Sequence, residues 1–127
     1  MTGMQVIENG IIVDSSSIVP IISVTDMLAS RAFDTVYTNT TGKTMYVHLS
    51  FLCYVPGITN EKSLVYARLG GVLDFWLGGI GWSTVTIPQM HLVFSSTFPV
   101  KPNQTYEVKT LLTFGGTVTL KSWVESY

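Results

Sequence analysis

The residues best able to do chemistry are few, and their spacing matches no catalytic motif. The chain has two histidines, His48 and His91, and neither has a partner at the spacing of an H-x-H or H-E-x-x-H metal motif. Cys53 is its single cysteine and lies on the apolar face of a predicted strand, where a small buried hydrophobic residue is expected. Four carboxylates lie far apart in sequence: Asp34, Glu61, Asp74 and Glu107. We therefore predict a protein that is not an enzyme, with no metal and no cofactor, although distant carboxylates could still meet in space.

Aromatic residues beside glycines are the second group that could carry function. Trp76 and Trp82 flank the glycine-rich stretch 77–81, where no Lys-Ser/Thr follows as in a phosphate-binding loop. We predict a turn or a close approach of strands there. Exposed rings suit contacts with sugars or proteins, so Tyr54, Trp76 and Trp82 are candidate surface or receptor contacts. The alternative is that the tryptophans fill the core or a subunit interface.

Composition limits the classes of protein that the chain can belong to. Its 127 residues suffice for one domain, with a net charge of −1. Only 12% of the residues are charged, whereas Ser and Thr make up 28 residues. A near-neutral chain does not bind nucleic acid by neutralising phosphates. A surface so poor in charge favours association, so we expect contacts with copies of itself or with partners.

Targeting signals are not apparent from the sequence. The first residues lack a basic stretch followed by an apolar region, so we predict no signal peptide. The most apolar run, 69–82, is interrupted by Asp74 and five glycines. It is too short to span a bilayer, so no membrane insertion is expected, and we expect synthesis in a cytoplasm.

Apolar residues alternate with a period of two along most of the chain, which predicts β-strands. Residues 44–54 set an apolar face against a mixed one, and similar alternation follows over 89–98, 105–114 and 117–125. In the last strand we expect Val118, Leu120 and Val124 on one face and Trp123 and Glu125 on the other. Several strands at this spacing, separated by Gly and Pro turns, indicate an antiparallel sandwich or barrel.

Two local signals complete the pattern. Residues 39–43 (Asn-Thr-Thr-Gly-Lys) predict a hairpin loop joining strands 33–38 and 44–54. The helix candidate is a short segment, 26–31, with Thr25 or Asp26 as its cap.

The first 30 residues differ in character from residues 31–127, which we take as the sandwich domain. Asn9-Gly10 between apolar pairs predicts a hairpin, and apolar positions follow on both sides of Pro20. We predict an extended arm that docks on a partner. Its docking residues are expected to be Ile7, Ile11, Ile12, Ile18 and Ile22. Alternatively, this segment supplies edge strands of the same sandwich.

Three stretches together resemble a known family. They are Tyr37-Thr38-Asn39-Thr40-Thr41-Gly42-Lys43-Thr44-Met45, Val100-Lys101-Pro102-Asn103-Gln104-Thr105-Tyr106 and Lys121-Ser122-Trp123-Val124-Glu125. In order and spacing they are similar to the β-rich C-terminal domains of tailed-phage tail fibres and related virion proteins. The resemblance covers about residues 32–127.

This resemblance implies an antiparallel β-sandwich of jelly-roll-like character, usually a homotrimer, located in the virion. Its expected partners are copies of itself, other phage virion proteins and a host surface glycan or protein. The resemblance brings no catalytic residues. A capsid decoration protein and a head or collar fibre are alternatives within the same class, and a carbohydrate-binding module is an alternative outside it.

Overall fold

The computed structural model describes residues 7–8, 11–12, 22–57, 61–81 and 88–127. Within these residues it contains ten strands and a single turn of 3₁₀ helix, Leu28–Ser30. The strands are β1 Ile7–Glu8, β2 Ile11–Ile12, β3 Val24–Asp26, β4 Tyr37–Thr38, β5 Met45–Val55, β6 Lys62–Leu69, β7 Leu73–Gly81, β8 Met90–Val100, β9 Thr105–Thr113 and β10 Thr117–Ser126.

Eight of these strands form two antiparallel four-stranded sheets. Sheet I has the order β3-β10-β5-β8, and sheet II has the order β4-β9-β6-β7. This strand order is that of a jelly roll, the eight-stranded double sheet used by viral capsid and lectin domains. The prediction of an all-β antiparallel sandwich with little helix is confirmed.

The arm predicted for residues 1–30 is described only in part. Strands β1 and β2 pair antiparallel, with Ile7 opposite Ile12, which is the register that the predicted hairpin requires. Residues 24–26 form β3, one of the two edge strands of sheet I, which pairs with the end of β10. For these three residues the structure therefore matches the edge-strand alternative.

The core lies between the two sheets, and β5 supplies its longest row. All six inward residues of β5, from Met45 to Val55, are almost fully buried, as the alternation predicted. Sheet II contributes Val65 and Ala67 from β6 and Val108 from β9. The alternating pattern therefore identifies the buried face of the central strands.

The predicted faces of the last strand are wrong beyond residue 120. A β-bulge at Lys121 shifts the register between Leu120 and Ser122 against β5. One extra residue exchanges the two faces of everything that follows it. Val118 and Leu120 pack against the core, but beyond the bulge the inward residues are Trp123 and Glu125, not Val124.

The predicted hairpin over residues 39–43 is also wrong, because this segment crosses from one sheet to the other. β4 belongs to sheet II and β5 to sheet I. The buried Asn39 side chain supports the crossing: its Nδ2 donates to the carbonyls of Lys43, Val100 and Lys101 at 2.7, 3.0 and 3.1 Å. Its Oδ1 accepts from the backbone N–H and the hydroxyl of Thr41. Hydrogen bonds to a side chain thus replace the strand pairing that a hairpin would have.

The predicted helix over residues 26–31 is reduced to the 3₁₀ turn. Asp26 Oδ1 accepts from the backbone N–H of Leu28 at 3.0 Å, so Asp26 does act at the start of the turn. The segment lies between β3 and the crossing to sheet II, and Met27 N–H donates to the carbonyl of Trp123 on β10. That bond directs the backbone to the sheet and leaves room for only one turn.

Candidate functional site

An exposed aromatic groove lies on the outer face of sheet II. It is formed by Trp76 of β7, Tyr66 and Leu64 of β6 and Leu111 of β9, which the strand register places side by side. Trp76 is 65% exposed and meets the Tyr66 ring edge to face, with 6.2 Å between centroids. A depression of about 320 Å³ opens over Tyr66, Trp76 and Leu111. This is the low end of the volumes typical of small-molecule sites.

The glycines of β7 shape the end of this groove. The stretch 77–81 is strand rather than turn, which leaves the close approach of strands as the correct alternative. A Cβ on Gly78 would lie 2.7 Å from Cγ of Phe94 on sheet I, so this position brings the two sheets together. Gly79 lies opposite Leu64 on the outer side. A Cβ on Gly79 would lie 2.7 Å from both Cα and Cδ2 of Leu64, so the glycine lets the Leu64 side chain pack directly against β7.

A row of charged residues borders the aromatic groove. Arg68 Nε donates to Asp74 Oδ1 at 2.7 Å and its Nη2 donates to Oδ2 at 3.0 Å, a bidentate pair. On the neighbouring strand, Lys109 Nζ lies 3.4 Å from Glu107 Oε2. The hydrogen bonds from Arg68 lower the pKa of the Asp74 carboxyl. The row therefore presents two cations and two anions that already neutralise each other.

The outer face of sheet I is different, because it lacks formal charge over its two longest strands. Strands β5 and β8 are described in full, and neither places an Asp, Glu, Lys or Arg on this face. We call it the charge-free face, and it consists of Tyr46, His48, Ser50, Leu52, Tyr54, His91, Val93, Ser95, Thr97 and Pro99. The charge-free face is limited to these two strands, because the neighbouring β10 carries the exposed Lys121 and β3 carries Asp26 opposite Val124.

The polar residues of the charge-free face form hydrogen bonds with serine and threonine hydroxyl groups. The ring nitrogens of His48 lie 3.0 Å from the Thr97 hydroxyl and 2.9 Å from the Ser126 hydroxyl. Ser50 and Ser122 share a hydrogen bond of 2.6 Å. A shallow depression of about 400 Å³ lies over these residues. These hydrogen bonds join residues of the charge-free face to each other and to Ser122 and Ser126 of β10, and none involves an ion, so a neighbouring surface could pack here without removing water from an ion.

The candidate contact residues do not converge on one site. Tyr54 lies on the charge-free face, where it accepts a hydrogen bond from Gln89 Nε2 at 3.1 Å and its ring lies 4.6 Å from that of His91. Trp76 lies on the opposite side of the sandwich. Trp82 lies outside the described residues. Tyr54 and Trp76 therefore belong to separate surfaces.

The candidate docking residues of the arm are described in part. Ile22 is 68% exposed. Ile7, Ile11 and Ile12 lie in the β1–β2 hairpin, of which the structure gives the backbone pairing. Ile18 lies outside the described residues. The arm thus remains a prediction, with one exposed apolar residue described at its base.

A buried carboxylate network on Glu125 is the site that sequence reasoning missed. Its Oε2 accepts hydrogen bonds from Arg31 Nε at 2.9 Å, the Tyr106 hydroxyl at 2.8 Å and Trp123 Nε1 at 2.9 Å, and its Oε1 accepts from Arg31 Nη2 at 3.0 Å. Burial alone would raise the pKa of Glu125, but the donated hydrogen bonds and the Arg31 charge lower it. Burial and the adjacent Glu125 raise the pKa of the Tyr106 phenol. These oxygens are already committed to donors, which is the arrangement of a structural ion pair.

Cys53 is fully buried in the core, and burial raises the pKa of its thiol. A buried thiol with a raised pKa is a poor nucleophile. Within the described part of the chain, no three His, Cys, Asp or Glu residues lie close enough to hold a metal ion. Over the same residues, no helix has the length and apolar character needed to cross a membrane.

No family model, curated protein or solved structure matches this chain.

Proposed function

We propose that this chain is a non-enzymatic structural subunit of a tailed-phage virion. It is a tail-fibre-type β module that works as an oligomer, with a homotrimer as the expected state, and it attaches to other virion proteins through its N-terminal residues. The observation that carries the proposal is the jelly-roll strand order over residues 24–126. Viral capsid and lectin domains use this architecture, and the stretches that resemble fibre domains lie within it.

The positions of those stretches within the fold support this reading. Asn39 from the first stretch supports the crossing between sheets. Gln104 from the second closes its turn, accepting at Oε1 from Lys101 N–H. Trp123 and Glu125 from the third lie in the buried network. The shared residues are thus structural, which suits a scaffold protein whose contacts lie elsewhere.

The charge-free face supports the oligomeric part of the proposal. Ion desolvation is a large cost of association, and β5 and β8 present no ion to a neighbour. Val93, 65% exposed, and the half-exposed Tyr46 add apolar area to the face. We propose that this face is the one that copies of the chain cover.

Native mass spectrometry tests this assembly. We expect the wild-type protein at three times the 14.0 kDa mass of the chain. Val93→Glu places a charge on the charge-free face and should yield monomer. Val72→Glu is the matched control, because Val72 is 87% exposed in the turn between β6 and β7. A monomeric wild-type protein, or an oligomer that Val93→Glu leaves intact, would contradict the proposed interface.

The virion role is tested separately, with purified phage particles that encode the chain. We expect mass spectrometry to detect the protein in the particles. Deletion of residues 1–21, which leaves β3 intact, should abolish its incorporation. Absence from wild-type particles would overturn the virion role. Cryo-electron microscopy of the particles would distinguish a tail fibre from a capsid decoration protein or a head or collar fibre.

A further inference from the structure

The outer face of sheet II has three adjacent rows of different chemistry. The register places Glu107, Arg68 and Asp74 in a charged row, Lys109, Tyr66 and Trp76 in an aromatic row, and Leu111, Leu64 and Gly79 in an apolar row. Successive rows on one face of a strand are about 7 Å apart, so one small ligand touches two rows at once. We propose that this face, centred on Trp76, is a binding site for a neutral saccharide.

The aromatic row provides a platform of the kind that sugar rings need. The Trp76 side chain is 65% exposed, although indole is among the most costly groups to leave in water. Tyr66 holds it from the side, with the two ring planes at 69°. A fixed ring offers a large contact area at little cost in conformational entropy. The apolar C–H face of a pyranose fits such a surface.

The charged row and Lys109 of the aromatic row together supply hydrogen-bonding groups without a net charge. Arg68 and Asp74 hold each other in a planar bidentate pair, and Lys109 pairs with Glu107. The remaining lone pairs and N–H groups of such pairs donate and accept in fixed directions, which matches adjacent hydroxyls on a sugar. Because the two cations and two anions of these pairs are balanced, the surface favours a neutral ligand over a polyanion.

The shape of the groove suits a short oligosaccharide that enters from the sheet edge. β7 is an edge strand of sheet II, so Trp76 and Asp74 lie at the margin of the sheet. The depression of about 320 Å³ over Trp76 and Tyr66 takes part of its lining, Asp74, Phe75 and Trp76, from this edge strand. The groove lies on the opposite side from the charge-free face, so the proposed oligomer leaves it accessible.

The test is binding of the full-length protein to an array that holds neutral oligosaccharides of glucose, galactose, mannose and N-acetylhexosamines together with acidic glycans that carry uronic or sialic acids, followed by titration of the best binder. We expect wild-type binding to quench tryptophan fluorescence. Trp76→Ala should bind at least about tenfold more weakly, as loss of a central aromatic contact typically does. Trp76→Phe keeps an aromatic platform and should retain most of the affinity.

Phe114→Ala is the matched control, since Phe114 is a 60% exposed aromatic residue at the turn after β9, and it should bind like wild type. Circular dichroism of each variant establishes that it is folded. The proposal is overturned if the wild-type protein binds none of the neutral glycans, if it prefers acidic ones, or if Trp76→Ala binds as tightly as wild type. Oligomer mass and particle incorporation are independent of these results, so the proposed function fails or holds on its own tests.

Discussion

Arg31 and Glu125, 94 residues apart in sequence, form a bidentate ion pair that joins the start of the sandwich to its last strand. Arg31 also lies over the Tyr37 ring, with its guanidinium carbon 4.5 Å from the ring centroid. The Arg31 and Glu125 side chains are 17% and 5% exposed. The pair therefore locks the segment between β3 and β4 against β10, at the place where residues 1–30 meet the domain.

Glu125→Gln should destabilise the fold strongly. The substitution removes the negative charge but leaves Arg31 partly buried without its partner, and breaking such a pair costs about 3 kcal/mol or more. Urea unfolding at fixed protein concentration measures this loss. Asp74→Asn breaks the exposed pair with Arg68 and serves as the control, which should unfold nearly as wild type does. Equal losses in the two variants would contradict a special role for the buried pair.

Stability should depend on pH in two ranges through this network. Because the folded protein lowers the pKa of Glu125 from its ordinary value of 4.5, the stability it contributes is full above that value and lost as pH falls further. The raised pKa of Tyr106 acts in the opposite direction: its contribution is full below pH 10 and lost as pH rises beyond it.

The urea midpoint of unfolding, measured between pH 3 and pH 11, tests both the loss of stability at acid pH (the acid limb) and the loss at alkaline pH (the alkaline limb). Glu125→Gln should flatten the acid limb, and Tyr106→Phe should flatten the alkaline limb. An acid limb as steep in Glu125→Gln as in wild type would assign the acid sensitivity to other carboxylates.

The regular strands could be predicted from the sequence because alternation reports burial directly. The row from Met45 to Val55 is the clearest case. The sheet to which each strand belongs could not be predicted. A turn signal such as the one at 39–43 indicates that the chain changes direction, but not whether the next strand pairs with the preceding one or crosses to the other sheet. The Glu125 network was missed because its members come from three separate segments, and only the fold brings Arg31, Tyr106 and Glu125 together. For Trp76, the sequence identified the residue but not which sheet face carries it.

Asn39→Ala should show that the crossing between sheets depends on one side chain. The substitution leaves the carbonyls of Val100 and Lys101 without this donor inside the protein, at an expected cost of about 2 kcal/mol or more. Thermal and urea unfolding measure the loss. Asn103→Gly is the matched control, since Asn103 is exposed and has a φ of 63°, which glycine adopts without strain. Wild-type stability in Asn39→Ala would mean that the crossing is held by its backbone alone.

Deletion of Lys121 should be tolerated, whereas deletion of a residue from a strand without a bulge should not be. The bulge at Lys121 lets Leu120 and Trp123 both face the core, although an odd number of positions separates them. Without the extra residue, only Ser122 separates the two side chains, so regular alternation keeps both of them on the core side. Deletion of Ser50 is the matched control, because β5 pairs with β8 without a break in register and the loss of one residue there turns part of its buried row outward. We expect the Lys121 deletion to unfold cooperatively and the Ser50 deletion to lose cooperative unfolding, measured by near-ultraviolet circular dichroism and urea titration. Loss of cooperative unfolding in the Lys121 deletion would mean that the fold needs the bulge itself and not only the two faces that it aligns.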